Sequence, residues 1–171
     1  MKVADAVAEF LVSHGCTHAF GLVGGANALL FAAISQRMNM VCVAHEQAAA
    51  QAASAYYRIS GRIAPCVVTA GVGCINAMTG VAAAHMDGIP LLVISGNEKS
   101  MYFKTPQKRG IGFAGIRPVD AVHSFVKYVE SVDNPLGAMF ALDGLYAACL
   151  DHRQGPCWVD IPQDIAGMEV K

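Results

Sequence analysis

The sequence predicts an α/β protein, a doubly wound parallel sheet with helices on both faces. Three observations carry that expectation. Strand-sized apolar runs alternate with helically spaced segments along all 171 residues. Those runs are solidly apolar instead of alternating, as in strands covered on both sides. Glycine-rich turns, or in one case an acid, stand where a strand passes into a helix.

Residues 5–14 place Val7, Phe10 and Leu11 at helical spacing, with Gly15 as the stop. Residues 18–23 form a strand running into Gly24-Gly25. Helical spacing returns over 26–38 through Leu29, Leu30, Ala33 and Ile34. Met40 to Ala44 reads as the second strand, and Glu46 to Ser60 as an alanine-rich helix stopped by Gly61. Residues 65–69 are a third strand ending in Ala70-Gly-Val-Gly73, and 74–85 the next helix. A fourth strand over 89–94 closes on Ser95-Gly96-Asn97. Residues 99–115 lack periodicity and read as a loop. A strand over 125–129, a helix over 135–151 with Pro135 in its first turn, and a strand over 157–161 complete the chain.

The organising stretch is 40–62. Glu46 lies at a strand-to-helix junction in apolar surroundings. An acid there has a simple structural use, since the helix dipole favours it and it caps free N–H groups. The alanines that follow (Ala48, Ala49, Ala50, Ala52, Ala53) leave room for something flat to lie close to the helix.

Composition sets bounds. The length suits one domain spanning 1–171, with no repeat, linker or low-complexity segment. The chain is 54% hydrophobic and 15% charged, more apolar than a typical monomer, yet no apolar run reaches membrane-spanning length. The excess points to packing against another protein chain. A net charge of −1 without a basic cluster points away from nucleic acid. The six cysteines and six histidines show no metal spacing, and buried reduced thiols are expected, Cys42 and Cys66 inside strands. With no signal-peptide pattern, a cytoplasmic protein is expected.

The turns at 21–25, 71–73 and 95–97, together with His45-Glu46, would line one edge of the sheet. Glycines there let a ligand approach the backbone, and equally make tight turns. A dinucleotide fingerprint and a phosphate-loop lysine are both missing.

Taken together, F-G-L-V-G-G (20–25), H-E-Q-A-A-A-Q-A-A-S-A-Y (45–56), T-A-G-V-G-C-I-N-A-M-T-G (69–80), D-G-I-P-L-L-V-I-S-G (87–96) and G-P-C-W-V-D-I-P-Q-D (155–164) resemble the N-terminal, pyrimidine-binding domain of thiamine-diphosphate enzymes. The pattern is nearest to the acetolactate synthase and benzaldehyde lyase group and covers essentially the whole chain. The resemblance implies that Glu46 is the catalytic glutamate that hydrogen-bonds N1′ of the aminopyrimidine and favours its imino form. Gly24, Gly25, Gly73 and Asn76 match other cofactor-binding positions, although Val23 and Val72 stand where the family usually has proline. Asn97, Phe113 and Arg117 fall on substrate-facing positions. Asn97 replaces the usual glutamine, and Ala114 and Arg117 occupy or adjoin places where a glutamine and an aspartate are common. Arg117 suits a substrate carboxylate or phosphate bidentately, or is simply a solvated charge.

The G-D-G and N-N signature of the Mg²⁺- and diphosphate-binding domain does not occur. The resemblance therefore implies a pyrimidine-binding subunit of a split thiamine-diphosphate enzyme, a decarboxylase or carboligase acting on a 2-oxo acid. A partner subunit would hold the diphosphate and Mg²⁺, in a heterotetramer or larger assembly. Two alternatives are a non-catalytic assembly or regulatory paralogue and an excised domain of a longer enzyme.

Overall fold

The computed structural model describes residues 1–104 and 110–170. The part of the expected 99–115 loop that covers 105–109 lies outside the described residues. Six strands form one parallel sheet: β1 (His18–Gly21), β2 (Asn39–Cys42), β3 (Cys66–Val68), β4 (Leu91–Asn97), β5 (Tyr128–Ser131) and β6 (Pro156–Pro162), in the order β2-β1-β3-β4-β6-β5. The longest register joins β4 to β6, from Leu91 opposite Pro156 to Asn97 opposite Pro162.

Helices cover both faces. Helices α1 (Val3–Ser13), α2 (Ala28–Ser35), α7 (Pro135–Leu150) and α8 (Gln163–Gly167) lie on one, and α3 (Glu46–Ser60), α4 (Val72–Asp87) and the short α6 (Pro118–Val122) on the other. A further short helix, α5, spans Ser100–Phe103. Successive side chains of a strand point to opposite faces. In β4, accordingly, Leu92 and Ile94 join the first core cluster and Leu91 and Val93 the second. Trp158 of β6, fully buried, fills the second cluster and is the chain's one tryptophan.

The doubly wound parallel sheet is as expected; several boundaries are not. The second strand is a sheet edge and largely exposed, so Cys42 is an exposed thiol and not the buried one expected. An edge strand has a neighbour on one side only, and β2 pairs only with β1. The fifth strand begins three residues later than expected, at Tyr128, where it pairs with Cys157. The segment Ser95-Gly96-Asn97, expected as a turn, belongs to β4. Gly96 is needed for a close approach: a methyl group there would run into the Ala26 carbonyl and the Asn27 α-carbon. Helices α6 and α8 have only five residues each and were not expected.

In an all-parallel sheet the carboxyl ends of the strands share one edge, where the segments leading into the next helices gather. That edge carries the candidate site.

Candidate functional site

Glu46 is positioned by its neighbour. His45, in extended backbone, caps α3 by accepting the Gln47 N–H on its ring nitrogen at 3.2 Å. The helix ends on Gly61 in the left-handed conformation. Both signals are local, which is why Glu46–Ser60 is helical over its expected bounds.

The Glu46 side chain points inward and the residue is only 6% exposed. Asn76, near the start of α4, donates from Nδ2 to Glu46 Oε2 at 2.9 Å. Among the described residues Oε1 has no hydrogen-bond partner. It faces Gly73 in the first turn of α4, where a built methyl group would stand 3.1 Å from Oε1 and 2.8 Å from Thr69 Cγ2. Gly24 also approaches Thr69; a methyl group there would lie 2.6 Å from its hydroxyl and methyl. Thr69 thus packs against both Gly24 and Gly73, and a side chain at either position would displace it. Helix α4 starts from Gly71, whose φ of 67° and ψ of −122° favour glycine.

The structure brings Glu46, Asn76, Gly73 and Gly24 into one locality. Gly25 is exposed, and a methyl group built on it would meet nothing within 4 Å. The 24–25 turn is held by Asn27, fully buried, which accepts from the Gly24 N–H at 2.7 Å and donates to the Leu22 carbonyl at 3.0 Å. Nothing in the local sequence marked Asn27 apart from its neighbours.

Three of the α3 alanines pack inside the protein. Ala49, Ala50 and Ala53 are buried, and Ala50 packs so closely on α4 that a methyl group on Gly80 would sit 2.6 Å from its Cβ. Their small size seats α4 against α3 and thereby sets the distance between Asn76 and Glu46.

Asn97, expected at the substrate, is turned into the protein. It donates to Asp160 Oδ2 at 2.7 Å and to the Ile116 carbonyl at 2.9 Å, and accepts the Glu98 N–H at 2.9 Å. Asp160, fully buried, also accepts from Ser95 and from Ser131, and the Trp158 indole donates to Ser95 at 2.8 Å. Burial pushes the Asp160 carboxyl up from 3.8 to about 6, against the pull of the Ser95, Asn97 and Ser131 hydrogen bonds.

Phe113 is fully exposed. Arg117 lies elsewhere, exposed, donating to the Phe103 carbonyl at 3.3 Å and lining a cavity of about 510 Å³ with Lys104, Ser131 and Asp160. This cavity does not include Glu46, nor does a second of about 710 Å³ between β5 and α7. Size is therefore a poor guide to the chemistry here. Among the described residues no three His, Cys, Asp or Glu side chains gather as a metal set. No helix among them is long and apolar enough to cross a membrane.

A buried carboxyl thus stands at a helix start, with one oxygen held by Asn76 and the other toward Gly73. The family described as thiamine pyrophosphate enzyme, N-terminal TPP binding domain, matches residues 1–113. The chain belongs to this family. It is 36% identical to the acetolactate synthase isozyme 3 large subunit of Escherichia coli, with 95% of the chain and 28% of that protein covered. Against the acetolactate synthase large subunit of Pyropia yezoensis the identity is 31%, over 97% of the chain and 28% of the relative. An acetolactate synthase large subunit of Buchnera aphidicola is 35% identical over 95% of the chain and 28% of its own length. The chain therefore spans a little over a quarter of the length of the relatives it matches.

Proposed function

We propose that this chain is the pyrimidine-binding half of a thiamine-diphosphate enzyme that decarboxylates a 2-oxo acid and joins the product to an acceptor carbonyl, as the names of its relatives suggest. The observation that carries the reading is the Glu46–Asn76 pair with Oε1 left toward the space cleared by Gly73. A ring nitrogen of the aminopyrimidine fits that oxygen, and the missing side chain at 73 lets the ring come close.

When bound, the cofactor supplies the carbanion chemistry. The chain's own residues prepare it. Glu46 holds or releases a proton at Oε1, with water kept from most of the group by burial. Asn76 occupies Oε2 and fixes the rotamer, so that a single oxygen meets the ring. Gly73 leaves room beside Oε1.

The diphosphate and Mg²⁺ belong, in this reading, to a second domain on a partner subunit, in a heterotetramer or larger assembly. The outward stripe of α4 supports a docked partner: Val72, Ile75 and Met86 are exposed apolar residues on one helix, and Ile59 of α3 is exposed as well. That the chain covers 28% of its relatives favours equally a second reading, in which the same domain lies elsewhere on a longer polypeptide. Native mass spectrometry on protein purified gently from its own cells tests the two. A stoichiometric second chain with bound thiamine diphosphate supports the split enzyme. One longer polypeptide supports the excised domain, and a homo-oligomer without cofactor supports a non-catalytic paralogue.

A further inference from the structure

We propose that Glu98 is a positioning residue for substrate binding: its carboxyl group locks the turn that carries Phe113 beside the Glu46 site. The inference rests on the catalytic reading above.

Glu98 follows β4 directly and is only 8% exposed. Its Oε1 accepts two consecutive backbone N–H groups, from Phe113 at 3.2 Å and Ala114 at 3.1 Å. The turn is shaped to receive it. Ile111 and Gly115 exchange both backbone hydrogen bonds, at 3.0 and 2.7 Å, closing a five-residue loop. Gly112 has a φ of +60°, and a methyl group on it would lie 2.7 Å from the Glu98 carboxyl carbon. One on Gly115 would lie 2.8 Å from Glu98 Cγ. A longer residue at either position would evict the carboxyl group.

The clamped turn abuts that site. The Ala114 carbonyl packs on Gly71, two residues before the Gly73 that faces Glu46. Phe113, between the clamped amides and fully exposed, makes no use of its ring inside the fold. A large aromatic held in solvent by a rigid turn is organised for a ligand.

The first test is amide hydrogen exchange on the chain itself. Glu98→Ala removes the acceptor, and exchange at Phe113 and Ala114 is expected to speed by about tenfold or more. Glu98→Gln keeps an acceptor oxygen and should restore much of the protection. Unchanged exchange in Glu98→Ala overturns the clamp. In the enzyme assembled with its diphosphate-binding domain and thiamine diphosphate, Glu98→Ala should raise KM for the 2-oxo acid substrate about tenfold, with a much smaller change in kcat. Gly112→Ala should do the same with Glu98 intact, and Phe113→Ala added to Glu98→Ala should cost little more. A fall in kcat at constant KM overturns the positioning role. An assembled wild-type enzyme without turnover counts against the catalytic reading and this role together, while the exchange data still decide whether the clamp exists.

Discussion

Asn76 and Glu46, thirty positions apart in the chain, meet at 2.9 Å across the α3–α4 contact. The approach is set by Ala50 against Gly80, so helix packing deep in the second core cluster fixes the geometry of the candidate site. A site held by core packing keeps its shape whether or not a ligand is present.

The pair gives the most direct prediction. In the assembled enzyme, Glu46→Gln should lower kcat by at least ~10²-fold, the usual contribution of a general acid or base. Asn76→Ala should also reduce kcat, by ~10-fold or more, because Glu46 loses the bond that fixes its rotamer. Steady-state kinetics measure both, and native mass spectra should show the complexes still assembled. Full activity in Glu46→Gln would falsify its catalytic assignment.

Gly73 predicts a defect of binding. Alanine suits a helix, but here its methyl group meets Thr69 and the free oxygen of Glu46. Gly73→Ala should weaken thiamine diphosphate binding at least ~10-fold while costing ~1–3 kcal/mol in stability. Isothermal titration of the assembled complex, with a thermal melt beside it, separates the two effects.

Asp160 predicts a pH dependence. Its folded-state carboxyl titrates at about 6 against 3.8 ordinarily, so the folded protein holds that proton more tightly than the unfolded chain. The resulting stability is fully present below about pH 4 and is lost as pH rises through about 6, a change of ~3 kcal/mol. Asp160→Asn removes this titration and can keep hydrogen bonds to Ser95, Asn97 and Ser131. Urea unfolding of both proteins at pH 4 and pH 7 should show the variant gaining on wild type by about that amount at the higher pH.

The cysteines predict a labelling count. Burial pushes the Cys66 thiol up to about 12 and the Cys16 thiol up to about 11, and it raises that of Cys74 as well. Cys42 alone of the six is exposed. At pH 8 the native chain should react rapidly with one equivalent of a thiol reagent, and Cys42→Ser should abolish that reaction. In urea all six should react.

Much of this was legible in the sequence because the signals were local. His45 and Gly61 bracket α3, and the solid apolar runs around Val67, Leu92 and Val159 mark inner strands. What was not legible depends on partners far along the chain. Asn97 resembles a substrate residue by position, but its side chain is committed to Asp160 and Ile116, sixty-three and nineteen positions away. Phe125 to Tyr128 look as strand-like as Val129, and only pairing with β6 sets where β5 begins. Gly96 stands in a glycine-bearing segment that reads as a turn, and only the approach of Ala26 reveals why a strand needs it. Glu98 passed unnoticed for the same reason; the glycines at 112 and 115 that make room for it hint at an inserted side chain.

Trp158 gives the Asp160 network an optical voice. The sole indole of the chain lies in the dry core and donates to Ser95, whose hydroxyl donates in turn to the Asp160 carboxyl. Excited at wavelengths that tyrosine barely absorbs, the protein emits from one place only, two hydrogen bonds from a group that changes charge near pH 6. Its native fluorescence is a built-in gauge of that hidden proton, readable without a label.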